Sequence, residues 1–485
     1  MVQSTRSSYT VTDTAAVLQG IAPDGGLFVD PDISSRPFDV DGCLSLNYTG
    51  MAAQIFSHLL PGFAPKAEQI AAVYPSKFSV PEITPLRAVG DAWALELYHG
   101  PTSAFKDVAL SVLPLLITSA RESEHIRETI SILTATSGDT GKAALEGFHD
   151  VEGTDITVFF PDGGVSAMQK AQMVTQEGKN VRVCAVRGNF DDCQRGVKEA
   201  FARVNSGERK VEGRIFSSAN SINIGRLVPQ VTYYFSAYSQ LLKASRIRSG
   251  ENVDFVVPTG NFGDILAGYL AKQMGLPIGK LVCASNANNV LTEFIRTGVY
   301  NKRRPFLKTS SPSMDILVSS NLERLLFYAC EGDTAYVASL MKALNEEGRY
   351  TLFGKALESI QALFHADYCT EEETASTIAR LWGDCRWLSD THSAVGFAVL
   401  DKYRLSSDFC GNKCVVLSTA SPFKFPSTVL QAIGGIPRED EFETAAALSD
   451  FTGEKVPDNI ARLREKPVLH TDVVDISQLT DYALS

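Results

Sequence analysis

Val253-Asp-Phe-Val-Val-Pro258 runs directly into Thr259-Gly-Asn-Phe-Gly-Asp264, and a helical pattern follows over residues 265–274. A short β-branched run, a glycine turn and a longer helical pattern together are typical of a βα unit in a parallel sheet. Further strands are expected at 93–98, 130–134, 155–160, 181–186 and 413–418. The sequence therefore predicts an α/β protein with mostly parallel sheets.

The turns after these strands are where a ligand is expected, because ligands of open α/β sheets bind outside the carboxyl ends of the strands. In the 259–264 turn, the free N–H groups at the start of the next helix favour a phosphate. The same turn is also compatible with a purely structural connection, since neither the dinucleotide nor the P-loop glycine spacing is present.

The second candidate turn is Thr136-Ser-Gly-Asp-Thr-Gly141, which follows the strand expected at 130–134. Its hydroxyl and carboxylate groups are the usual N-caps of helices. They could equally converge on a substrate carboxylate at the positive end of the helix expected from residue 142. The spacing is compatible with both interpretations.

The third candidate is Lys106, which lies between Phe105 and the apolar run that begins at Val108. A partly desolvated lysine has a lowered pKa, and its neutral amine can attack a carbonyl group to form a Schiff base. The alternative is a lysine whose stem packs against apolar neighbours while its ammonium group reaches water.

Composition excludes several classes of function. The chain has 485 residues, of which 44% are apolar and 21% charged, as in an ordinary globular protein. Its formal charge of −11 disfavours nucleic acid as a partner. The longest apolar run, 108–117, is too short to cross a membrane, and the N-terminal residues lack a signal-peptide pattern, so a cytoplasmic location is expected. Nine scattered cysteines and seven single histidines match no metal-site spacing.

Taken together, the motifs resemble the threonine synthase family, whose members are pyridoxal-phosphate enzymes of the tryptophan-synthase-like fold type II. The Asp-Gly-Gly segment near the N-terminus is similar to that of the bacterial and fungal branch. The motifs that carry the resemblance follow the family's order, and they are Ser4-Thr-Arg6, Ala22-Pro-Asp-Gly-Gly-Leu-Phe-Val29, 99–107, 136–141, Asn220-Ser-Ile-Asn-Ile-Gly-Arg226, 258–264, Ser311-Pro-Ser-Met-Asp-Ile316 and 419–425.

The resemblance implies a fold and a division of the chain. Two open, mostly parallel sheets wrapped by helices are expected, together with a small N-terminal subdomain. The N-terminal subdomain is expected over 1–88 and a large cofactor-binding domain over 89–127 and 232–485. A small, mobile substrate-binding domain is expected over 128–231.

The resemblance also implies roles for individual residues. Lys106 is expected to hold pyridoxal phosphate covalently and to carry the catalysis, and Thr419 is expected to contact the pyridine nitrogen. The remaining assignments place the cofactor phosphate at Gly260, Asn261, Phe262 and Gly263, with Asp264 as a further cofactor-binding residue. They place the substrate carboxylate at Thr136, Ser137, Asp139 and Thr140, and the substrate phosphate at Asn220, Ser221, Asn223 and Arg226, with Ser166 and Lys170 as weaker additions.

The reaction implied is conversion of O-phospho-L-homoserine and water to L-threonine and phosphate. A phospholyase that releases a 2-oxo acid, ammonia and phosphate would have nearly the same turns, and a non-catalytic ligand sensor would keep the same fold. Ser421 and Ser103 depart from the family pattern, which bears on the substrate more than on the cofactor. A monomer or weak homodimer is expected.

Overall fold

The computed structural model describes residues 1–136, 138–205 and 207–485. The strands found in this part of the chain are β1 Val2–Ser4, β2 Thr10–Val11, β3 Phe28–Val29, β4 Leu86–Val89, β5 Ala92–Glu96, β6 Thr129–Ala135, β7 Thr154–Pro161, β8 Val181–Arg187, β9 Arg214–Ser218, β10 Val253–Pro258, β11 Ile278–Ser285, β12 Val299–Asn301, β13 Arg349–Thr351, β14 Phe364–Tyr368, β15 Lys413–Ser418 and β16 Asp472–Asp475.

Helices occupy most of the remaining described chain. They are α1 Asp13–Gln19, α2 Val40–Ser45, α3 Tyr48–Leu59, α4 Ala67–Ala71, α5 Tyr74–Lys77, α6 Lys106–Leu110, α7 Leu113–Ser123, α8 Asp139–Phe148, α9 Ala167–Val174, α10 Phe190–Asn205, α11 Ile224–Lys243, α12 Gly263–Gln273, α13 Val290–Thr297, α14 Leu322–Ala329, α15 Thr334–Glu346, α16 Lys355–Leu363, α17 Glu371–Cys385, α18 Thr391–Arg404, α19 Pro426–Ala432, α20 Glu441–Thr452, α21 Asp458–Ala461 and α22 Ile476–Ala483.

Two parallel sheets organise the molecule. The larger has the order β14-β11-β10-β15-β5-β4 and is parallel except for the β4–β5 pair. The smaller has the order β16-β8-β7-β6-β9 and is parallel throughout. All six residues of the central strand β10 are buried, as expected for a parallel strand covered by helices on both faces. The predicted fold class is confirmed.

The smaller sheet takes one strand from far along the chain. β16 pairs with β8 in parallel, and α22 packs beside α10, although the sequence analysis expected this domain to comprise 128–231 alone. A strand at this position covers the edge of β8, whose backbone groups would otherwise be unpaired.

The N-terminal segment contains a small sheet of its own besides five helices, α1 to α5. It adds a three-stranded antiparallel sheet in the order β2-β1-β3. Its helix α3 packs on α11, a 20-residue helix that is buried over most of its length and also contacts α6 and α12. Since α6 begins at Lys106, α11 carries Arg226 in its first turn and α12 follows the 259–264 turn, this packing fixes these predicted site residues relative to one another.

Candidate active site

The residues that follow the carboxyl ends of β6, β10 and β15 line one cleft of about 920 Å³. Thirteen of the predicted site residues contribute to its wall, which brings together turns that lie far apart in the sequence. They are Lys106, Thr136, Asp139, Thr140, Asn220, Ser221, Arg226, Gly260, Asn261, Phe262, Gly263, Asp264 and Thr419. Ser137 lies outside the described residues.

Lys106 is the first residue of α6, and it is buried. Its Nζ donates to Ser313 Oγ at 3.3 Å and lies 4.9 Å from the centre of the Phe105 ring. Burial lowers the pKa of Lys106, and the charges of Lys424 and Arg226 lower it further, while Asp139 opposes them. The amine is thus easier to deprotonate than that of an exposed lysine.

Asp139 opens helix α8, three residues earlier than the sequence predicted. The earlier start has a local cause: Thr136 Oγ1 accepts the N–H groups of Gly138 and Gly141, both at 2.9 Å, and Gly138 has a positive φ of 141°. The Thr136 hydroxyl therefore takes the capping role that the sequence allowed. Its position places Asp139 and Thr140 in the first turn of the helix, facing the cleft.

Asp139 is an anion surrounded by cations. Its Oδ1 lies 2.7 Å from Lys424 Nζ and its Oδ2 lies 3.6 Å from Lys106 Nζ. Burial alone would raise the pKa of Asp139, but the charges of Lys424 and Lys106 outweigh burial and hold the pKa well below its usual range. A carboxylate in this state cannot donate to a substrate carboxylate, so the resemblance-based role for Asp139 does not fit its surroundings.

The glycine turn before α12, from Gly260 to Gly263, lines the cleft. The Gly260 carbonyl accepts from Ser319 Oγ at 2.7 Å, and the Asn261 carbonyl accepts from Asn321 Nδ2 at 3.0 Å. Neither Ser319 nor Asn321 lines the cleft. Because C=O and N–H of a planar trans peptide point in opposite directions, the N–H groups of Asn261 and Phe262 point away from Ser319 and Asn321. Phe262 has a φ of 62°, the left-handed conformation that curls such a turn into an anion-binding nest.

Asp264 lies beside this turn, in the first turn of α12. Its Oδ1 accepts the hydroxyl groups of Tyr233 at 2.5 Å and Tyr234 at 3.1 Å. Its Oδ2 is buried and has no hydrogen-bond partner among the described residues. Burial raises the pKa of Asp264 to about 7, against the pull of the two tyrosine hydroxyls and of Lys106.

Arg226 lies in the first turn of α11 and is 3% exposed. One Nη donates to the Ala219 carbonyl at 2.5 Å, while the Nε has no partner in the part of the chain that the structure describes. Burial lowers the pKa of Arg226 to about 10, and no acidic side chain of the described residues forms an ion pair with it. A buried cation with donor capacity to spare is suited to an anionic ligand.

Thr419 follows the end of β15 and is held at the backbone. Its N–H donates to Ser393 Oγ at 3.2 Å, and its carbonyl accepts the Phe105 N–H at 2.8 Å. These bonds place Thr419 directly beside the Lys106 turn and leave its hydroxyl for contacts within the cleft.

Some predicted site residues serve the fold instead. Asn223, expected at the substrate phosphate, precedes α11 as its N-cap. Its side chain bonds the Gly225 N–H and the carbonyls of Val17 and Ser218. Ser166 caps α9 through a reciprocal pair of bonds with Gln169, and Lys170 is an exposed partner of Asp162. Asn223, Ser166 and Lys170 are not part of the cleft wall.

The two departures from the family pattern also lie behind the cleft wall. The Ser421 N–H donates to the Ser103 carbonyl at 3.1 Å. The Ser103 hydroxyl bonds the side chain of Asn459, and the Ser421 hydroxyl accepts the Phe423 N–H. Neither side chain contributes to the cleft wall.

Three residues near Lys106 escaped the sequence analysis. Lys424 and Ser313 lie inside motifs that were quoted for the resemblance, but nothing local marked them as site residues. His392 is buried, and its Nε2 accepts the Ser313 N–H at 3.2 Å while Nδ1 lies 3.1 Å from Asp390. An accepting Nε2 carries no proton, so the hydrogen bonds assign the proton to Nδ1.

The cleft thus contains one amine able to attack a carbonyl group and two separate positions for anions. One anion position is the glycine turn with the N-terminus of α12, and the other is Arg226. This set fits a phosphate-bearing aldehyde together with an anionic substrate. No cluster of His, Cys, Asp and Glu side chains in the described chain could hold a metal ion, and no described helix has the length and apolar composition needed to cross a membrane.

Comparisons with known proteins agree with this geometry. A family model described as pyridoxal-phosphate dependent enzyme matches residues 80–420, and one described as threonine synthase, C-terminal, matches 393–482. The threonine synthase of Eremothecium gossypii is 35% identical, with 98% of this chain and 95% of that protein covered. A crystal structure of PLP-bound threonine synthase from Brucella melitensis is 35% identical, with a TM-score of 0.84 and coverage of 100% and 98%.

The human protein threonine synthase-like 1 is also similar, at 39% identity over 86% of this chain. The chain spans 57% of the length of that relative.

Proposed function

Because the chain belongs to the threonine synthase family of pyridoxal-phosphate-dependent enzymes, we propose that it converts O-phospho-L-homoserine and water to L-threonine and phosphate. The observation that carries this proposal is Arg226, a buried guanidinium that lines the same cleft as Lys106 and has no acidic partner among the described residues. A substrate phosphate would supply the missing counter-charge.

Pyridoxal phosphate would be held by Lys106 through its aldehyde, by the turn from Gly260 to Gly263 through its phosphate, and by Thr419 at its pyridine nitrogen. The chemistry that the bound cofactor supplies is withdrawal of electrons from the substrate, which makes the hydrogens on its carbon chain acidic. A neutral hydroxyl at position 419 can donate to an unprotonated nitrogen, which moderates this withdrawal.

The side chains around the substrate then divide the remaining work. The Lys106 amine takes the proton from Cα and carries protons at Cβ and Cγ. Arg226 holds the phosphate while it leaves Cγ, with paired charge-assisted hydrogen bonds. Water adds at Cβ, so the atoms of substrate and water are all found in threonine and phosphate.

We assign the substrate carboxylate to the start of α8, but not to Asp139. The positive end of this helix and the hydroxyl groups of Thr136 and Thr140 favour a carboxylate. Asp139, as an ionised acid, is better placed to attract the substrate's amino group towards Lys106.

Incubation of the holoenzyme with O-phosphohomoserine, followed by chromatography of amino acids and oxo acids, tests the proposed reaction. We expect threonine and phosphate in equal amounts. Equal or greater release of 2-oxobutyrate would instead indicate the phospholyase that the sequence also allowed. The cytoplasmic location and the monomer or weak dimer remain predictions, and size-exclusion chromatography checks the second of them.

A further inference from the structure

Lys424 is a second lysine beside Lys106 that the proposed mechanism does not use. It is among the most deeply buried charged groups described, with its side chain 0% exposed. Its Nζ ion-pairs with Asp139 Oδ1 at 2.7 Å and donates to the Thr102 carbonyl at 3.1 Å. We call Lys106, Asp139 and Lys424 the Lys–Asp–Lys cluster.

The cluster contains more positive than negative charge. Lys424 holds Oδ1 of Asp139, which also accepts from Gln169 Nε2 at 3.0 Å. The Lys106 Nζ lies 3.6 Å from the other oxygen, Asp139 Oδ2, and Ser313 Oγ lies 3.4 Å from that same oxygen. One carboxylate therefore serves two ammonium groups, and the closer contact belongs to Lys424.

Other charged or titratable groups face the cluster from neighbouring elements. Arg226 on α11 adds positive charge towards Lys106, and His392 on α18 faces Asp139. Asp107 on α6 faces Lys424, but burial raises the pKa of Asp107 to about 6, and its oxygens accept from the N–H and hydroxyl of Thr102. Asp264 on α12 also interacts electrostatically with Lys106, but burial raises the pKa of Asp264 to about 7, and its Oδ1 accepts the hydroxyl groups of Tyr233 and Tyr234. Among the described residues, the carboxylate that forms an ion pair with Lys106 is that of Asp139.

We propose that Lys424 is a positioning residue for Lys106: by holding one oxygen of Asp139 it divides the charge of that carboxylate between two ammonium groups, so that the Lys106 amine gives up its proton more readily. The direction follows from Coulomb's law, since a fixed positive charge nearby disfavours a second one. The proposal rests on the proposed function in one respect, namely that a neutral Lys106 amine is what the cofactor requires.

The proton affinity of Lys106 can be measured directly in the full-length apoenzyme. Brief labelling with acetic anhydride at a series of pH values, followed by mass spectrometry of the Lys106 peptide, gives the pH at which half of the amine is reactive. Lys424→Met should raise this midpoint by about one pH unit or more, because Asp139 then serves Lys106 alone. Asp139→Asn should lower it by a similar amount, because Lys106 loses its counter-charge.

Two further variants separate charge from structure. Lys424→Arg keeps the positive charge and should leave the midpoint within about 0.3 pH units of wild type, a shift small beside the one-unit effect expected of a lost charge. Lys142→Met removes another buried lysine, which pairs with Glu146 at 3.0 Å, and should lower the melting temperature without moving the Lys106 midpoint. If circular dichroism shows that Lys424→Met does not fold, Lys424→Gln removes the same charge while keeping a donor for Thr102.

A Lys106 midpoint in Lys424→Met that stays at the wild-type value or falls would overturn the proposal, whatever Asp139→Asn does, and so would a midpoint that rises in Asp139→Asn. Failure of the proposed function is a separate outcome. It would appear as a visible cofactor band that persists in Lys106→Ala, or as holoenzyme that forms no threonine. The labelling midpoint reports the influence of Lys424 in either case.

Discussion

Arg226 is unusual because a fully buried charged side chain normally has a partner of opposite charge. Here burial lowers the pKa of Arg226 to about 10, and its Nε has no hydrogen-bond partner among the described residues. The cost of burying such a group is recovered only when an anion occupies the cleft. Substrate discrimination is therefore expected to depend on this residue.

We expect Arg226→Lys to lower kcat/KM for O-phosphohomoserine by more than about tenfold, or about 1.4 kcal/mol, because a lysine cannot copy the paired bonds of a guanidinium. Vinylglycine carries no phosphate and enters the same pathway at its unsaturated stage, so its turnover should be nearly unchanged. Steady-state kinetics with both substrates make the comparison. Parallel losses would return Arg226 to a structural role.

At Lys106 the expected result is spectroscopic. Lys106→Ala should bind pyridoxal phosphate without the visible band of a cofactor linked to lysine, and borohydride should no longer fix the cofactor's mass to the chain. Absorbance spectra and intact-protein mass spectrometry provide the two measurements. A variant that kept both signals would show that another lysine holds the cofactor.

At the scale of elements, the turn before α12 is shaped by close backbone packing. A Cβ on Gly260 would lie 2.6 Å from the Ser313 carbonyl oxygen and 3.3 Å from Met314 Cα. Both are backbone atoms, so neither can move aside without displacing the 311–316 segment. Since Ser313 also accepts from Lys106, a change at Gly260 reaches the amine as well as the phosphate position.

Gly260→Ala should accordingly weaken cofactor binding by about tenfold or more, which corresponds to about 1.4 kcal/mol. Equilibrium titration of the apoenzyme with pyridoxal phosphate, followed by absorbance, measures the dissociation constant. Gly383→Ala is the matched control, because Gly383 lies in α17 and its added Cβ would meet no atom within 4 Å. Unchanged affinity in Gly260→Ala would mean that the phosphate binds elsewhere.

The strands and turns of this protein could be predicted from its sequence, whereas the roles of several side chains could not. The strands and glycine turns were predictable because hydrophobic runs and turn residues act locally, and the 259–264 turn was located correctly on that basis. The capping roles of Asn223 and Ser166 could not be predicted, because an N-cap and a ligand-binding residue have the same side-chain chemistry. Lys424 could not be found at all, since only the folded chain brings it to Asp139.

At the scale of the whole molecule, the buried carboxyl of Asp264 links folding to pH. Its folded pKa of about 7 lies above the value of about 3.9 in an unfolded chain. The folded state therefore binds more protons than the unfolded state between these values, and this group's contribution to stability falls as the pH rises from about 4 to 7.

Asp264→Asn cannot ionise and should remove this contribution to the pH dependence. The free energy of unfolding of the variant minus that of wild type should therefore increase by roughly 2–4 kcal/mol between pH 4 and pH 7.5, because the wild type loses stability over this range. Urea titrations of the two apoenzymes at several pH values measure the difference. A constant difference across this range would show that Asp264 ionises as freely in the folded chain as in the unfolded one.

In the proposed reaction, phosphate leaves from Cγ and water adds at Cβ in the same cleft. The most direct test is turnover of O-phosphohomoserine by the holoenzyme in water enriched in oxygen-18, with mass spectrometry of both products. Because the bond between Cγ and oxygen breaks, phosphate should be released without the label, and each threonine should carry one labelled oxygen in its hydroxyl group. Labelled phosphate together with homoserine, or an oxo acid in place of threonine, would contradict the account.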